Sequence, residues 1–462
     1  MKNFFSLFTI IIIIQFFLSC NQTSRSQKRV DSYPESGKIH EGIICTTSPG
    51  YSYTLYLPKA FPGKNSWPVI IWFDPHGNGS LPVKRYFDLA EKHGYIILGS
   101  NNSKNGLPAE EIRSIVNILV DEILQVFPVD TGRMYAAGFS GGSRVASSAA
   151  MLRKEIKGVI ACGAGLSSSL QVSQCNFDYF GIAGTADFNM AEMVQLDEQF
   201  TNMGVRHFLK TYPGSHSWPP VEIMEEGLLW HHFNAMKDGL IPKDNALIDH
   251  FRDSVIKRTE RARESENFLL EAELLKEAIS FLENLLQINP YRQELASVEN
   301  SAGYKKQLII YNNILLQEQQ EQQNLIHALF SRELPWWEGK IKEYGIKMKR
   351  YGNPEDTLMI ARLKAYMSLL CYSNLNAAMK QNQHEVAKKL VAIYTMVDPD
   401  NPEPYYVNAV IKSWEEDSAG CFTQLNTAIL KGFSDKGRMM QQPEFEDYRN
   451  TPGFFDLIQK IR

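Results

Sequence analysis

A field of one charge sign and a metal-spaced set of cysteines are both missing from this sequence of 462 residues. Its 48 lysines and arginines face 52 aspartates and glutamates, interleaved along the chain, for a net charge of −4. There is neither the basic stripe that a nucleic-acid partner needs nor an acidic tail. None of the six cysteines sits in a CxxC pair or beside histidines at zinc spacing, which argues against a metal site. Glycine becomes sparse after Pro242. The remainder is ordinary for a folded globular protein, with 44% hydrophobic and 22% charged residues. The length allows two or three domains, each with its own core.

The N-terminus departs from that average. Met1-Lys2-Asn3 supplies a short positive start, and an apolar run from Phe4 to Leu18 follows, isoleucine throughout from Ile10 to Ile14. The run is shorter than the roughly 20 residues a membrane span needs and fits a secretory h-region. It ends in Leu18-Ser19-Cys20, which resembles a bacterial lipobox, with Phe17 where the strictest pattern has leucine. The resemblance implies cleavage before Cys20 and lipid chains on its thiol. They would hold an exported protein at a membrane of a bacterial cell envelope without a spanning helix. An uncleaved anchor and a plain signal peptide are the alternatives. Residues 21–38 are rich in Ser, Gln and Arg and read as a flexible tether. Cys45, Cys162, Cys175, Cys371 and Cys421 then remain in an oxidising compartment. Cys162 and Cys175 flank one short loop and are candidates for a bridge; the alternative is two lone thiols.

Two textures divide the rest. From Ser52 to Gly239 apolar strand-like runs alternate with helical stretches. Strands are predicted at Tyr53–Leu57, Pro68–Phe73, Tyr95–Gly99, Met134–Gly138, Gly158–Ala161, Tyr179–Ala183 and His207–Tyr212. Helices are predicted at Val83–His93, Ala109–Phe127, Ser143–Lys154 and Met190–Asn202. Continuous apolar runs such as Pro68–Phe73 suit strands buried on both faces, so the fold class is α/β, a doubly wound, mostly parallel sheet. After Pro242 helical periodicity takes over. Ala278 precedes Pro290, and Ala387 precedes Pro399, by the same interval. Those positions resemble the small residue and closing proline of a tetratricopeptide repeat, with Ala409, Cys421 and Ala428 continuing the pattern. The resemblance implies an all-α repeat domain with a face for a protein partner; a generic helical bundle is the alternative. The expected organisation is a leader over 1–20, a tether over 21–38, the α/β domain over 39–240 and the helical domain over 244–462.

Gly138-Phe139-Ser140-Gly141-Gly142 lies between a predicted strand and a predicted helix, the setting of a nucleophile elbow. Glycines permit the tight turn that lifts the serine above the sheet. The Gly141 N–H, at the start of the next helix, can face a developing oxyanion. A serine needs a base, and the base needs an orienting acid. Asp187 follows the strand Tyr179–Ala183, and His216 follows the last strand in a Gly- and Pro-marked loop. The chain order Ser, Asp, His is that of α/β-hydrolases.

Three blocks, Val129 to Gly142, Gly184-Thr-Ala-Asp187 and His216-Ser-Trp218-Pro219, resemble esterases related to polyhydroxybutyrate depolymerases and feruloyl or acetylxylan esterases. The resemblance covers about residues 50 to 235. It implies an α/β-hydrolase fold and a triad of Ser140, Asp187 and His216. Where the family has His-Gly-Cys, this chain has Asp74-Pro75-His76-Gly77-Asn78-Gly79. Gly77 and Asn78 are expected there as oxyanion donors, with His76 as a buttress. Phe139 and Trp218 are candidates for the substrate pocket, and Trp218 equally for pinning the histidine loop. His231 and His232 read as packing or surface residues, and Trp336-Trp337 as helix packing ahead of a sugar platform. The expected activity is hydrolysis of a small-molecule or polysaccharide-linked carboxylic ester through an acyl-serine, with no cofactor or metal. The alternatives are a peptidase of the same fold and a non-catalytic lipoprotein that binds through its repeats.

The leader carries its own test. Cys20→Ala is expected to move the protein from the membrane to the soluble fraction, because the lipid would be its hydrophobic attachment once the leader is removed. Membrane association that persists after demonstrated cleavage would point to another anchor.

Overall fold

The computed structural model describes residues 33–64, 66–167, 170–350 and 354–461. The leader, Cys20 and the tether up to residue 32 lie outside the described residues. The described end of the tether is packed: the Tyr33 ring meets Phe61 at 4.9 Å, and Gly37 N–H donates to the Leu57 carbonyl at 2.7 Å.

Eight strands form one sheet: β1 (Ile39–Ile44), β2 (Ser52–Tyr56), β3 (Trp67–Phe73), β4 (Ile96–Ser100), β5 (Val129–Phe139), β6 (Ile156–Cys162), β7 (Asp178–Ala186) and β8 (His207–Ser215). Their order is β1-β2-β4-β3-β5-β6-β7-β8, antiparallel at β1–β2 and β2–β4 and parallel elsewhere. That is the order of the α/β-hydrolase fold. The seven predicted strands are all present. β1 is the one that sequence pattern missed: it is a bulged, half-exposed edge with little apolar alternation. Between the strands run α1 (Ser80–His93), α2 (Ala109–Val126), α3 (Gly141–Leu152) and α4 (Met190–Met203), and α5 (Val221–Lys237) follows β8.

The period-2 alternation of the strands sorts their side chains onto two faces. Ile70 and Trp72 of β3 join Tyr135, Ile160 and Phe180 under α1 and α5. Val69, Ile71 and Phe73 join Ala136, Val159 and Tyr179 under α2, α3 and α4. Cys162 belongs to the first core, whereas Cys175 packs against the second. The two thiols lie on opposite faces of the sheet and are free, so the candidate bridge is not made.

The helical half comprises α6 (Asn245–Glu264), α7 (Phe268–Leu282), α8 (Asn289–Asn300), α9 (Ala302–Ser331), α10 (Leu334–Arg350), α11 (Pro354–Lys380), α12 (His384–Val397), α13 (Pro402–Trp414) and α14 (Ser418–Leu430), then two shorter helices. The pairs α6/α7, α11/α12 and α13/α14 close through three-residue turns of one design. The middle residue (Glu266, Asn382 or Glu416) is left-handed, and the N-cap of the next helix follows it. Asn267 and Asp417 cap those next helices by accepting from the Leu270 and Gly420 N–H groups. Ala278, Ala387, Ala409 and Ala428 are all buried. The helices α9 and α11, at 30 and 27 residues, are about twice the length of α12 to α14.

The core does not stop where the sequence texture changes. The cluster beneath α5 continues through Ile248, Phe251 and Val255 of α6 and Leu274, Ala278 and Phe281 of α7. Phe281 stacks on Phe251 at 4.3 Å and meets Phe233 at 5.5 Å. Lys210, buried on β8, reaches Glu226 of α5 at 2.7 Å and Glu277 of α7 at 2.8 Å. Burial pulls its pKa down, but these two carboxylates outweigh that and leave it above the ordinary lysine value. A second core, from Leu325 and Trp337 through Ile458, holds α9 to α14 together. Chain ending after Leu240 is therefore expected to aggregate: it bares the Phe208–Phe233 surface and strips Lys210 of Glu277. Soluble yield and size-exclusion behaviour check this, and a soluble monomer with an unchanged melting temperature would contradict it.

Candidate active site

β5 delivers Ser140 into a turn at positive φ, the one non-glycine residue of the described α/β half to adopt it. Its backbone sits at φ 53°, ψ −121°, as the N-cap of α3. A non-glycine residue there is strained, and such strain persists only where the surroundings enforce it. Here the enforcement is backbone on backbone. A Cβ at Gly142 would overlap the Phe73 carbonyl, and one at Gly138 would overlap the Gly142 carbonyl. The Ser140 N–H is held by the Cys162 carbonyl at 2.8 Å.

The other two side chains arrive from the ends of neighbouring strands. Asp187 follows β7 and is 1% exposed; His216 follows β8. His216 Nδ1 lies 2.9 Å from both Asp187 carboxylate oxygens, and its Nε2 lies 2.9 Å from Ser140 Oγ. A carboxylate only accepts, so this arrangement assigns the proton to Nδ1 and leaves Nε2 to accept from the serine hydroxyl. Asp187 also accepts the Asn189 N–H at 2.8 Å. The rings of Phe188 and Phe139 contact the imidazole at 4.1 and 4.6 Å. The three residues read from the sequence are thus in one hydrogen-bonded line.

The loop after β3 is arranged differently from expectation. Asp74 is buried and draws the loop inward: its Oδ1 accepts the His76 N–H at 2.8 Å and the Asn78 N–H at 3.3 Å. Its carbonyl accepts the Gly77 N–H at 3.2 Å, and Pro75 has no N–H to offer. Gly77 and Asn78 are therefore turned to Asp74 and do not face Ser140, which corrects their assignment as oxyanion donors. Gly141 lines the same cleft as the serine. It is the first residue of α3, where an N–H has no intrahelical partner.

Trp218 is a pin and not a pocket wall. It is buried against Trp72, Tyr86 and Phe139, and its Nε1–H donates to Asp74 Oδ2 at 3.2 Å. The adjacent Pro219 carbonyl accepts from Tyr86 at 2.7 Å and from Arg85 at 3.2 Å. The histidine loop is thereby fastened to α1. His231 and His232 are packing residues, their pKa values driven by burial to about 3 and about 4. Trp337 is buried in the helical core with Trp336 edge-on at 5.0 Å, away from the serine.

Ser140 opens into a cleft of about 910 Å³ with walls from both halves of the chain. His76, Asn105, Phe139, Phe188 and His216 form one side; Ser368, Leu369 and Tyr372 of α11, Tyr394 of α12, and Asp398, Asn401 and Glu403 form the other. Sequence reasoning missed this second wall entirely. A latch holds it in place. Arg362 of α11, 2% exposed, donates to the fully buried Glu318 of α9 at 2.6–3.0 Å and to the Thr185 carbonyl at 2.6 Å. Thr185 stands two residues before Asp187. One arginine within the apolar Leu358 to Met367 stretch was the available signal, but nothing in the pattern names its partners.

No family model matches the sequence, and no curated protein matches it either. Among solved structures the chain is similar to S-formylglutathione hydrolase from Staphylococcus aureus, at 14% identity and TM-score 0.36, covering 43% of this chain and 99% of that one. It is also similar to Est1E from Butyrivibrio proteoclasticus, at 15% identity and TM-score 0.33, covering 41% and 96%. A third is a hyperthermophilic esterase from the archaeon Pyrobaculum calidifontis, at 14% identity and TM-score 0.34, covering 44% and 85%.

Arg362→Ala leaves Glu318 charged and buried without a partner, a change that costs about 3–5 kcal/mol. The urea midpoint is expected to fall accordingly. Arg362→Met combined with Glu318→Leu should recover much of the loss, since it removes the orphaned charge. An unchanged midpoint in Arg362→Ala would show that the latch does not hold the halves together.

Proposed function

We propose that the protein is a serine hydrolase that cleaves carboxylic esters through an acyl-serine intermediate, exported and held at a membrane by lipid on Cys20. The observation that carries the catalytic reading is the Ser140–His216–Asp187 line at 2.9 Å per step, with Ser140 on a strained turn at the floor of an open cleft.

Ser140 Oγ attacks the ester carbonyl carbon while His216 Nε2 takes its proton. The carbonyl π electrons move onto oxygen, and the Gly141 N–H donates to that oxyanion. Asp187 keeps the imidazole in the Nδ1–H tautomer and stabilises the imidazolium that forms. The tetrahedral intermediate collapses, the ester C–O bond breaks, and His216 returns its proton to the departing alkoxide. Water then enters, loses a proton to Nε2 and attacks the acyl-serine. The second intermediate releases the carboxylic acid and restores the Ser140 hydroxyl. No cofactor or metal takes part in these steps. The Ser368, Leu369 and Tyr372 side chains support a role for the helical half in holding part of the ester.

Turnover of p-nitrophenyl acetate and labelling by a fluorophosphonate probe test the reading. In Ser140→Ala, labelling is expected to vanish and kcat to fall roughly 10⁴–10⁶-fold, with folding unchanged. Labelling that survives in this variant would exclude Ser140 as the nucleophile.

A further inference from the structure

An acyl-transfer oxyanion hole needs more than one donor for its full effect, and in this fold the second comes from the loop after β3. The amides of residues 76 to 78 in that loop are engaged elsewhere here. Position 75 is proline, and the His76, Gly77 and Asn78 N–H groups are all taken by Asp74 at 2.8, 3.2 and 3.3 Å. Gly141 is left as the backbone donor beside the serine, and a different kind of group stands next to it.

Asn105 lines the same cleft as Ser140, Gly141 and His216. Its carboxamide lies directly on Gly141: a Cβ there would overlap Asn105 Oδ1 and stand 3.2 Å from Nδ2. The segment that carries it is stitched to that loop by one antiparallel pairing. Lys104 pairs with His76 in an isolated antiparallel bridge, and the Asn105 N–H donates to the Pro75 carbonyl at 2.8 Å. A side-chain amide on such a mount carries two N–H donors in the cleft that it shares with Ser140 and Gly141. Resting on the hydrolase reading above, we propose that Asn105 is a catalytic residue whose Nδ2–H completes the oxyanion hole in place of the β3 loop. Gly141 has a second reason to be glycine: only a hydrogen there leaves the carboxamide its seat.

Kinetics on p-nitrophenyl acetate with four variants test this. Asn105→Ala is expected to lower kcat about 10²–10³-fold with KM little changed, as for loss of one oxyanion donor. Asn105→Asp keeps the size of the side chain but offers a negative charge to the oxyanion, so its kcat should fall at least as far. Gly141→Ala keeps the Gly141 amide yet evicts the carboxamide, and should reproduce the loss. The double variant Asn105→Ala with Gly141→Ala should lose no more than either alone, because both remove one interaction. Affinity for a boronic acid that mimics the tetrahedral intermediate should fall in step with kcat/KM. Wild-type kcat in Asn105→Ala, or in Asn105→Asp, overturns the proposal. So does a loss carried by KM alone, or fully additive losses in the double variant. Absence of turnover in the wild-type protein would instead remove the hydrolase reading, and the inference with it.

Discussion

A serine held at φ 53° is a costly conformation, and the whole site hangs on the crossing that holds it. Three backbone segments meet there with no side chain between them: the end of β3 at Phe73, the end of β5 at Gly138 and the first turn of α3 at Gly142. Because the contact is main chain on main chain, α3 can leave the sheet in only one direction. The serine oxygen is thereby fixed above the carboxyl edge of the strands. β7 and β8, the next and next but one strands outward from β6, end at the same edge and bring Asp187 and His216 to it. The 2.9 Å spacings follow from strand register as much as from any property of the three side chains.

A second constraint reaches the site from the far end of the chain. Arg362 and Glu318 are both buried, and a buried ion pair seldom adds net stability against an apolar alternative. Its effect is geometric. The guanidinium plane satisfies Glu318 along one edge and leaves Nη1 for the Thr185 carbonyl, so α9, α11 and the strand that leads to Asp187 share one position. The same arrangement seats Ser368, Leu369 and Tyr372 over the nucleophile. The helical half is thus a wall of the cleft and, through α6 and α7, part of the cover of the sheet. A helical array that only recruited a partner would need neither contact.

Asp74 ties the two themes together. Its buried carboxylate has more acceptor capacity than one backbone turn can fill. It takes up the His76 and Asn78 amides on one oxygen and the Trp218 indole on the other. One side chain therefore closes the β3 loop and pins the histidine loop together. The chain has room for a carboxamide from Lys104-Asn105 at the place that this closure vacates.

Local patterns sufficed for much of this. Apolar runs between glycines and charges placed seven of the eight strands and the helices between them. The G-x-S-x-G turn, the strand-end aspartate and the loop histidine identified the three residues in line, because each is specified by its neighbours within a few positions. β1 escaped because an exposed, bulged edge strand has no apolar alternation to read. The paired helices with buried alanines were legible as spacing, while the doubled length of α9 and α11 was not. What only the tertiary structure decided is everything that depends on a partner distant in the chain. The sequence by itself could not tell that the amides of residues 76 to 78 turn toward Asp74, that Trp218 faces α1 and not the cleft, or that Cys162 and Cys175 lie on opposite faces of the sheet. Nor could it bring Asn105 onto Gly141, or Arg362 to Thr185 across 177 residues. Those outcomes are set by which surfaces the folded sheet leaves open. Hydrophobic periodicity specifies which face of an element is buried, but not against what.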